Sequence, residues 1–369
     1  MRIGVVREGP GERRVAVVPE AVPRLAALGA EILVERGAGE AACGPDADYT
    51  QAGARIVDHA TLYAEADVLL SVGAPPADLA EQVHSGQTLI GLYAPRVRDA
   101  LMTALADAGV TVVSLDGLPR TLSRAQPMDA LSSQANVAGY QAVLVAAAAY
   151  PRYFPMLITA AGTARPAQVL VLGAGVAGLS AIGTARRLGA VVRAYDVRPA
   201  SRGEVESVGA EFVDLADAID GAGTGGYARA LDTGEQRAQQ EALAAHVARH
   251  DVVVTTAQVP GGRPPLLVTE EAVKAMRPGS VIVDLAAGPD GGNVALSRAD
   301  ETVRTDNGVT VIGAPNLPSA MAPAASAAYA RNVTALVAHL VADGELRIDP
   351  TDEITAGVLA VYEGRRCAR

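Results

Sequence analysis

Val169-Leu-Val-Leu-Gly-Ala-Gly-Val-Ala-Gly178 decides how this chain is read. Its four apolar residues predict a buried strand, and Leu179 to Leu188 continues with helical character. Between them, Gly173, Gly175 and Gly178 fall in G-x-G-x-x-G spacing. The first glycine allows a tight turn. The second lets backbone approach a pyrophosphate, and the third lets helix pack closely on strand. Amides at the new helix N-terminus offer donors and the positive end of a dipole to phosphate. Val191-Val-Arg-Ala-Tyr-Asp196 then reads as a second strand, ending in an acid 18 residues past Gly178. That is where an adenosine ribose needs a carboxylate for its hydroxyls. A glycine-rich turn serving packing alone would leave Asp196 unexplained.

The rest of the chain bounds the setting. A length of 369 residues predicts two domains. Half the residues are apolar and only 3% aromatic, which suits parallel α/β layers packed through small side chains. The net charge of −10 argues against nucleic acid as a ligand, because a phosphate backbone needs a basic face. Cys43 and Cys367 show no metal-ligand spacing, so no metal is expected, and two thiols suit a reduced, cytoplasmic setting. The first residues read directly as a strand, so no signal peptide is expected. The longest apolar region, Ala142 to Gly162, is interrupted by Pro151, Arg152 and Pro155 and does not read as a membrane span.

Strand and helix signals alternate through the first third. Strands are expected near Ile3–Val6, Glu31–Glu35, Ala54–Val57, Ala66–Ser71, Gln87–Gly91 and Val110–Val113, with a helix over Pro19–Leu28. Such alternation predicts a doubly wound sheet, here without a glycine fingerprint of its own. Asp129 to Ala149 predicts a long helix leading into the second domain. That domain continues through strands near Asp251–Thr256, Ser280–Asp284 and Val309–Ile312. Ala320 to Val341 predicts another long helix, crossing back. The expected fold is therefore α/β: two Rossmann-like doubly wound parallel-sheet domains linked by long helices, the first discontinuous. Residues 1–130 with 318–369 are expected to form a nucleotide-free domain and 131–317 the dinucleotide-binding domain. One weak helical stretch is expected in the tail. Ala216 to Glu235, with four glycines in six residues, reads as a surface loop, and its Tyr227 as a candidate to fold over a bound nucleotide.

Arg120-Thr-Leu-Ser-Arg-Ala-Gln-Pro-Met-Asp-Ala-Leu-Ser-Ser-Gln-Ala-Asn-Val-Ala-Gly-Tyr140 resembles the nucleotide-binding loop of proton-translocating NAD(P) transhydrogenases. The resemblance continues through Thr159–Thr163, Gly173–Leu179, Gly225–Tyr227, Thr255–Ala257, Pro260–Gly261, Gly279–Ala286 and Gly291–Asn293, and so spans most of the chain. The whole is similar to the soluble NAD(H)-binding component, the leading portion of the α subunit, within the alanine dehydrogenase/transhydrogenase superfamily. The resemblance implies a Re/Si-type enzyme active only with partner subunits. NAD(H) would bind this chain and NADP(H) a partner, beside transmembrane subunits coupled to proton translocation. It also implies a homodimer with no direct membrane insertion, peripheral on the inner face of the cell membrane.

The same resemblance implies site residues. An arginine, a glutamine, an aspartate and a serine of the loop contact the dinucleotide in that family, mapping onto Arg120, Gln126, Asp129 and Ser132, with Gln126, Asp129 and Arg120 nearest the chemistry. One extra residue stands between Arg120 and Gln126, so Arg124 competes for the arginine's place. Helix capping by Asp129 is the plainer reading of these polar residues. Val176 and the flanking glycine amides would lie against pyrophosphate, and Asp196, Val197 and Arg198 would hold the adenosine ribose. A carboxylate there repels a 2′-phosphate, which favours NAD(H). Gly226 and Tyr227 map onto the mobile loop, and Gln258 has neighbours that pass near the nicotinamide. Two departures stand out: an extra residue around Gly288–Asp290, and Ala320 in place of an expected arginine.

Alanine dehydrogenase, of nearly this length and the same two-domain plan, is the rival reading. Amino-acid oxidation needs a carboxylate-binding group, a lysine and a proton-exchanging histidine. Arg14 matches the first. The stretch for the lysine holds Ser71 and Gly73, and the stretch for the histidine, Ile90–Pro95, contains none. Hydride exchange between two nicotinamides needs juxtaposed rings and excluded water rather than acid–base groups. A non-catalytic NAD(H)-sensing module is a further alternative.

Overall fold

Short strands of two to five residues, joined by helices and turns, gather the chain into two units, Met1–Gln134 with Pro318–Arg369 and Ala135–Leu317. The computed structural model describes residues 1–73, 79–160, 162–215, 221–223, 229–258, 263–289 and 291–367. The early strands are β1 (Arg2–Val5), β2 (Glu31–Glu35), β3 (Arg55–Val57), β4 (Val68–Leu70), β5 (Thr88–Gly91) and β6 (Thr111–Ser114). The middle of the chain adds β7 (Leu157–Thr159), β8 (Gly162–Ala164), β9 (Gln168–Leu172), β10 (Val191–Tyr195), β11 (Glu211–Phe212), β12 (Val252–Thr255), β13 (Val281–Asp284), β14 (Thr302–Arg304) and β15 (Thr310–Gly313). The tail contributes β16 (Val341–Ala342), β17 (Glu345–Leu346), β18 (Leu359–Tyr362) and β19 (Arg365–Arg366). The helices that matter below are α1 (Ala130–Ala149), α2 (Val176–Arg187), α3 (Thr233–Arg249), α4 (Ala322–Leu340) and α5 (Glu353–Val358).

The first unit is built on a sheet of order β19-β18-β6-β5-β4-β1-β2-β3. Strands β1 to β6 pair in parallel, and the order reverses between β1 and β4. Parallel strands are covered on both faces and so read as unbroken apolar runs. Ile32, Val34, Val68, Leu70 and Val113 pack into one layer, while Leu33, Leu69 and Val112 pack into the other. Helix α4 covers the first layer with Tyr329, Val333, Leu336, Val337 and Leu340, all buried. The Tyr329 hydroxyl donates to the Ser71 carbonyl at 2.8 Å, which ties this helix to the end of β4.

The second unit repeats the scheme with order β11-β10-β9-β12-β13-β15-β14. Its strands are parallel except β14, which runs against β15. Val169, Val171, Val252 and Val254 face one layer; Leu170, Leu172 and Val253 face the other. The order reverses between β9 and β12, and in such sheets ligands bind in the crevice beyond the carboxyl ends of the strands that flank the reversal. The α/β class and the doubly wound, parallel-dominated sheets are those expected from the sequence.

Two local expectations differ. The helical stretch expected in the tail is α5, but strands follow it that were not expected. After α5, β18 pairs antiparallel with β6, Val361 opposite Val112, and β19 turns back on β18. That pairing joins segments far apart along the chain, so no local signal announces it. Pro19–Leu28 is not one helix either: a 3₁₀ turn over Pro19–Ala21 precedes a short α-helix, Val22–Ala26. Pro23, lacking an N–H, is tolerated because it falls in the first turn of that second segment. Of the glycine-rich stretch Ala216–Glu235, residues 216–220 and 224–228 lie outside the described residues, and its end is already α3, opened by an Asp232–Glu235 capping box.

Within the second unit, α1 approaches α2 backbone to backbone. A Cβ at Gly139 would stand 1.9 Å from the Ala177 carbonyl oxygen. Gly183, further along α2, would meet only the flexible end of Arg187 at 3.3 Å. Gly139→Ala is therefore expected to lower stability by about 2–3 kcal/mol through overpacking. Gly183→Ala is expected to raise it by roughly 0.5–1 kcal/mol through helix propensity. Urea unfolding of the two variants side by side checks both signs.

Candidate functional site

The fingerprint turn sits at the carboxyl end of β9. Gly173 is left-handed, with φ +101°, and its N–H donates to the Tyr195 carbonyl at 2.8 Å. The Thr256 hydroxyl, just beyond β12, donates to the Gly173 carbonyl at 3.0 Å. The two strands flanking the reversal are thus joined at this turn. A Cβ at Gly178 would lie 1.8 Å from the Gly173 oxygen, so α2 sits directly on the turn. A Cβ at Gly175, by contrast, would meet nothing within 4 Å. Gly175 caps α2 without any side-chain hydrogen bond. The amides from Val176 onward therefore open a helix end with free space at its cap, a cradle that fits a pyrophosphate.

Asp196 follows β10 and is buried. Its Oδ2 accepts from the Ala174 N–H at 2.7 Å, which fastens the acid to the fingerprint turn. Oδ1 accepts from the Arg198 N–H at 2.9 Å and from Arg198 Nε at 2.8 Å. Arg198 Nη2 completes a fork on Oδ2 at 2.9 Å. Gly221 lies against Val197: its N–H donates to the Val197 carbonyl at 3.0 Å, and a Cβ there would stand 2.4 Å from Val197 Cγ2. In the sequence Gly221 is only one glycine of a loop; its need for close approach shows only in three dimensions. Gly226 and Tyr227 lie outside the described residues, as do Pro260, Gly261 and Asp290.

Gln258 is exposed, and the segment carrying it is clamped by Asn293. That buried amide donates to the Ala257 and Pro265 carbonyls at 2.9 and 2.8 Å, and its oxygen accepts the Ala257 N–H at 3.0 Å. Asp284, at the end of β13, holds the turn bearing Asn293. It accepts from the Thr255 hydroxyl, the Ala286 N–H and the Val294 N–H, and burial raises its carboxyl above the usual range. The sequence signal for Asn293 is its place after Gly291 and Gly292, where a Cβ at Gly292 would press on Asp284 at 2.3 Å.

In the first unit, Arg120, Asp129 and Ser132 come together. Arg120 Nε donates to Asp129 Oδ2 at 2.9 Å and its Nη2 to the Ser132 hydroxyl at 2.5 Å. The Ser132 N–H and hydroxyl donate to Asp129 at 2.9 and 2.6 Å. Asp129 thus accepts an amide in the first turn of α1, as a helix cap does, and also binds the arginine. Arg124 points elsewhere, to Asp352 at 2.8 Å, which also receives His339 at 2.9 Å and caps α5. Of the two arginines, Arg120 is the one in the cluster. Gln126 lies exposed on the 3₁₀ segment Ser123–Met128, which also carries Arg124.

Arg14 and Ser71, the two residues of the rival reading in the same unit, are both hydrogen-bonded within it. Arg14 is buried, forked onto Glu12 at 2.9 and 2.6 Å and bonded to Gln134 at 2.8 Å. Ser71 meets the Tyr93 hydroxyl at 2.9 Å. Glu8 accepts the Val72 N–H at 2.6 Å. Among the described residues no His, Cys, Asp and Glu cluster is placed to hold a metal, and no helix is long and apolar enough to cross a membrane.

Burial pushes the Glu8 carboxyl up to about 7, against the lowering effect of the Val72 and Gly73 amides. The folded chain keeps this proton at pH values where the unfolded chain has lost it. Stability from this group is full below about pH 4.5 and is lost as pH rises to about 7. The whole change is about 3 kcal/mol. Glu8→Gln should flatten the fall. Urea midpoints of both proteins at pH 5 and pH 8 test this, and parallel slopes would refute it.

The family described as alanine dehydrogenase/PNT, N-terminal domain, matches residues 4–138, and its C-terminal domain matches residues 142–369. The NAD(P) transhydrogenase subunit alpha of Cereibacter sphaeroides is 44% identical over 99% of this chain and 70% of its own length. The subunit of the same name from Haemophilus influenzae is 40% identical over 99% of this chain and 71% of its own length. The crystal structure of transhydrogenase from Sinorhizobium meliloti superposes with a TM-score of 0.86 at 39% identity, over 99% of this chain and 98% of that one.

Proposed function

The chain belongs to the alanine dehydrogenase/PNT family, and we propose that it is the NAD(H)-binding component of a proton-translocating NAD(P) transhydrogenase. The observation that carries this reading is the fingerprint turn with its open helix end and the acid fastened to it. Gly173, Gly175, Val176 and Gly178 would take the pyrophosphate, and Asp196 and Val197 the adenosine ribose. Arg120, Gln126, Asp129, Ser132 and Gln258 are proposed to contact the dinucleotide, Arg120 rather than Arg124 because Arg124 is bonded to Asp352. Bound NADH supplies the hydride. What the chain supplies is binding, orientation and exclusion of water.

The acceptor, NADP⁺, is proposed to belong to a partner subunit, with transmembrane subunits coupling the exchange to proton translocation. A homodimer of this chain, peripheral on the inner face of the cell membrane, is part of the same proposal. Relatives that bear the transhydrogenase name at 40% and 44% identity support it. Alanine dehydrogenase chemistry is disfavoured by Arg14. The arginine that would bind a substrate carboxylate is buried against Glu12 and Gln134, and Ser71 stands within the stretch where the lysine is expected.

Equilibrium dialysis is expected to show NADH bound far more tightly than NADPH; equal binding would count against Asp196 as selector. Mixed with an NADP(H)-binding subunit, the chain should exchange hydride, and an inert mixture would leave only a sensing module. Gln126→Asn should slow that exchange by about tenfold with little loss of NADH affinity, as expected for a positioning contact. Pyruvate, ammonium and NADH should give no oxidation, followed by the absorbance of the reduced nicotinamide.

A further inference from the structure

Asp196 is the acid that this unit offers to a ribose, yet its acceptor positions are already filled. A carboxylate has about four lone-pair sites. Ala174 N–H, Arg198 N–H, Arg198 Nε and Arg198 Nη2 all donate to it, between 2.7 and 2.9 Å. The four donors are of two kinds. The amides belong to the turns after β9 and β10 and cannot leave without unmaking them. The other two are one guanidinium fork, on a side chain 22% exposed while Asp196 is 7% exposed. A ribose diol needs acceptors at this carboxylate, so only the fork can make way.

The fork also has somewhere to go. The exposed Glu204 follows closely in the chain, in the first turn of the helix Ser201–Ser207, and its charge favours the Arg198 cation. Resting on the dinucleotide reading above, we propose that Arg198 is a latch. It occupies Asp196 in the free chain and swings away toward Glu204 when the adenosine ribose takes its place. Arg198 then weakens NADH binding instead of supplying it. Once released, its cation stands beside the ribose, offsets the Asp196 charge, and lowers discrimination against a 2′-phosphate. This reverses the role that the sequence resemblance implied for Arg198.

The test is a fluorescence titration of wild type, Arg198→Gln and Glu204→Gln with NADH, NADPH and reduced nicotinamide mononucleotide, which has no adenosine. Arg198→Gln should bind NADH about three- to tenfold more tightly, as when a partly exposed charge-assisted pair is removed from the free state alone. It should bind NADPH less tightly and the mononucleotide unchanged, which also shows that the variant is folded. Glu204→Gln, having lost the outer anion, should bind NADH less tightly. Unchanged or weaker NADH binding by Arg198→Gln overturns the latch, as does an equal gain for the mononucleotide. If wild type binds NADH no better than the mononucleotide, the dinucleotide reading itself fails.

Discussion

The absence of a methyl group at Gly178 is the constraint on which the second unit turns. With 1.8 Å between a Cβ there and the Gly173 oxygen, any side chain would lift α2 off the strand. Gly139 repeats the condition from the other side, against the Ala177 carbonyl. Helix α2 is thereby held backbone to backbone between α1 and the β9 turn. Its first amides are held with it, as is the turn whose Ala174 N–H reaches Asp196. Packing this close transmits position without slack, because interiors are as dense as crystals and transmit strain. The fingerprint turn, the open end of α2 and Asp196 are one rigid piece for that reason.

Charge is arranged with the same closeness. Arg14, Arg120, Arg124 and Arg198 each meet a carboxylate within the chain. For Arg14, the buried one of the four, pairing is what lets the charge be buried at all, since a lone buried charge is costly. For function the consequence differs by site. At Arg14 the pair holds a buried guanidinium against Glu12, with Gln134 on its other side. At Asp196 the arginine's side of the pair is partly exposed, and under the latch proposed above it competes with the ribose. At Arg124 it fastens a loop segment to the cap of α5.

The two sheets were legible in the sequence because parallel strands buried on both faces leave unbroken apolar runs, as in Val169–Leu172 and Leu69–Leu70. The fingerprint was legible because the glycines it needs are dictated by local sterics. The place of Asp196 directly after β10 was legible from the strand pattern. The tail strands were not, because β18 depends on β6 for its partner. Neither was the choice between Arg120 and Arg124, since both are cations in one short loop and only Asp129 and Asp352 tell them apart. Asn293 and Gly221 were visible as letters, but not as a clamp and a close contact.

The sequence by itself determined the α/β class, the dinucleotide fingerprint and the residue types around it, because these follow from periodicity, glycine sterics and spacing over a few tens of residues. Only the tertiary structure decided which charges face which. Arg198 closes on Asp196, Arg120 on Asp129 and Ser132, and Arg14 on Glu12 and Gln134. Hydrogen bonds are made over about 3 Å between atoms that folding brings together, and no order of letters along the chain carries that distance.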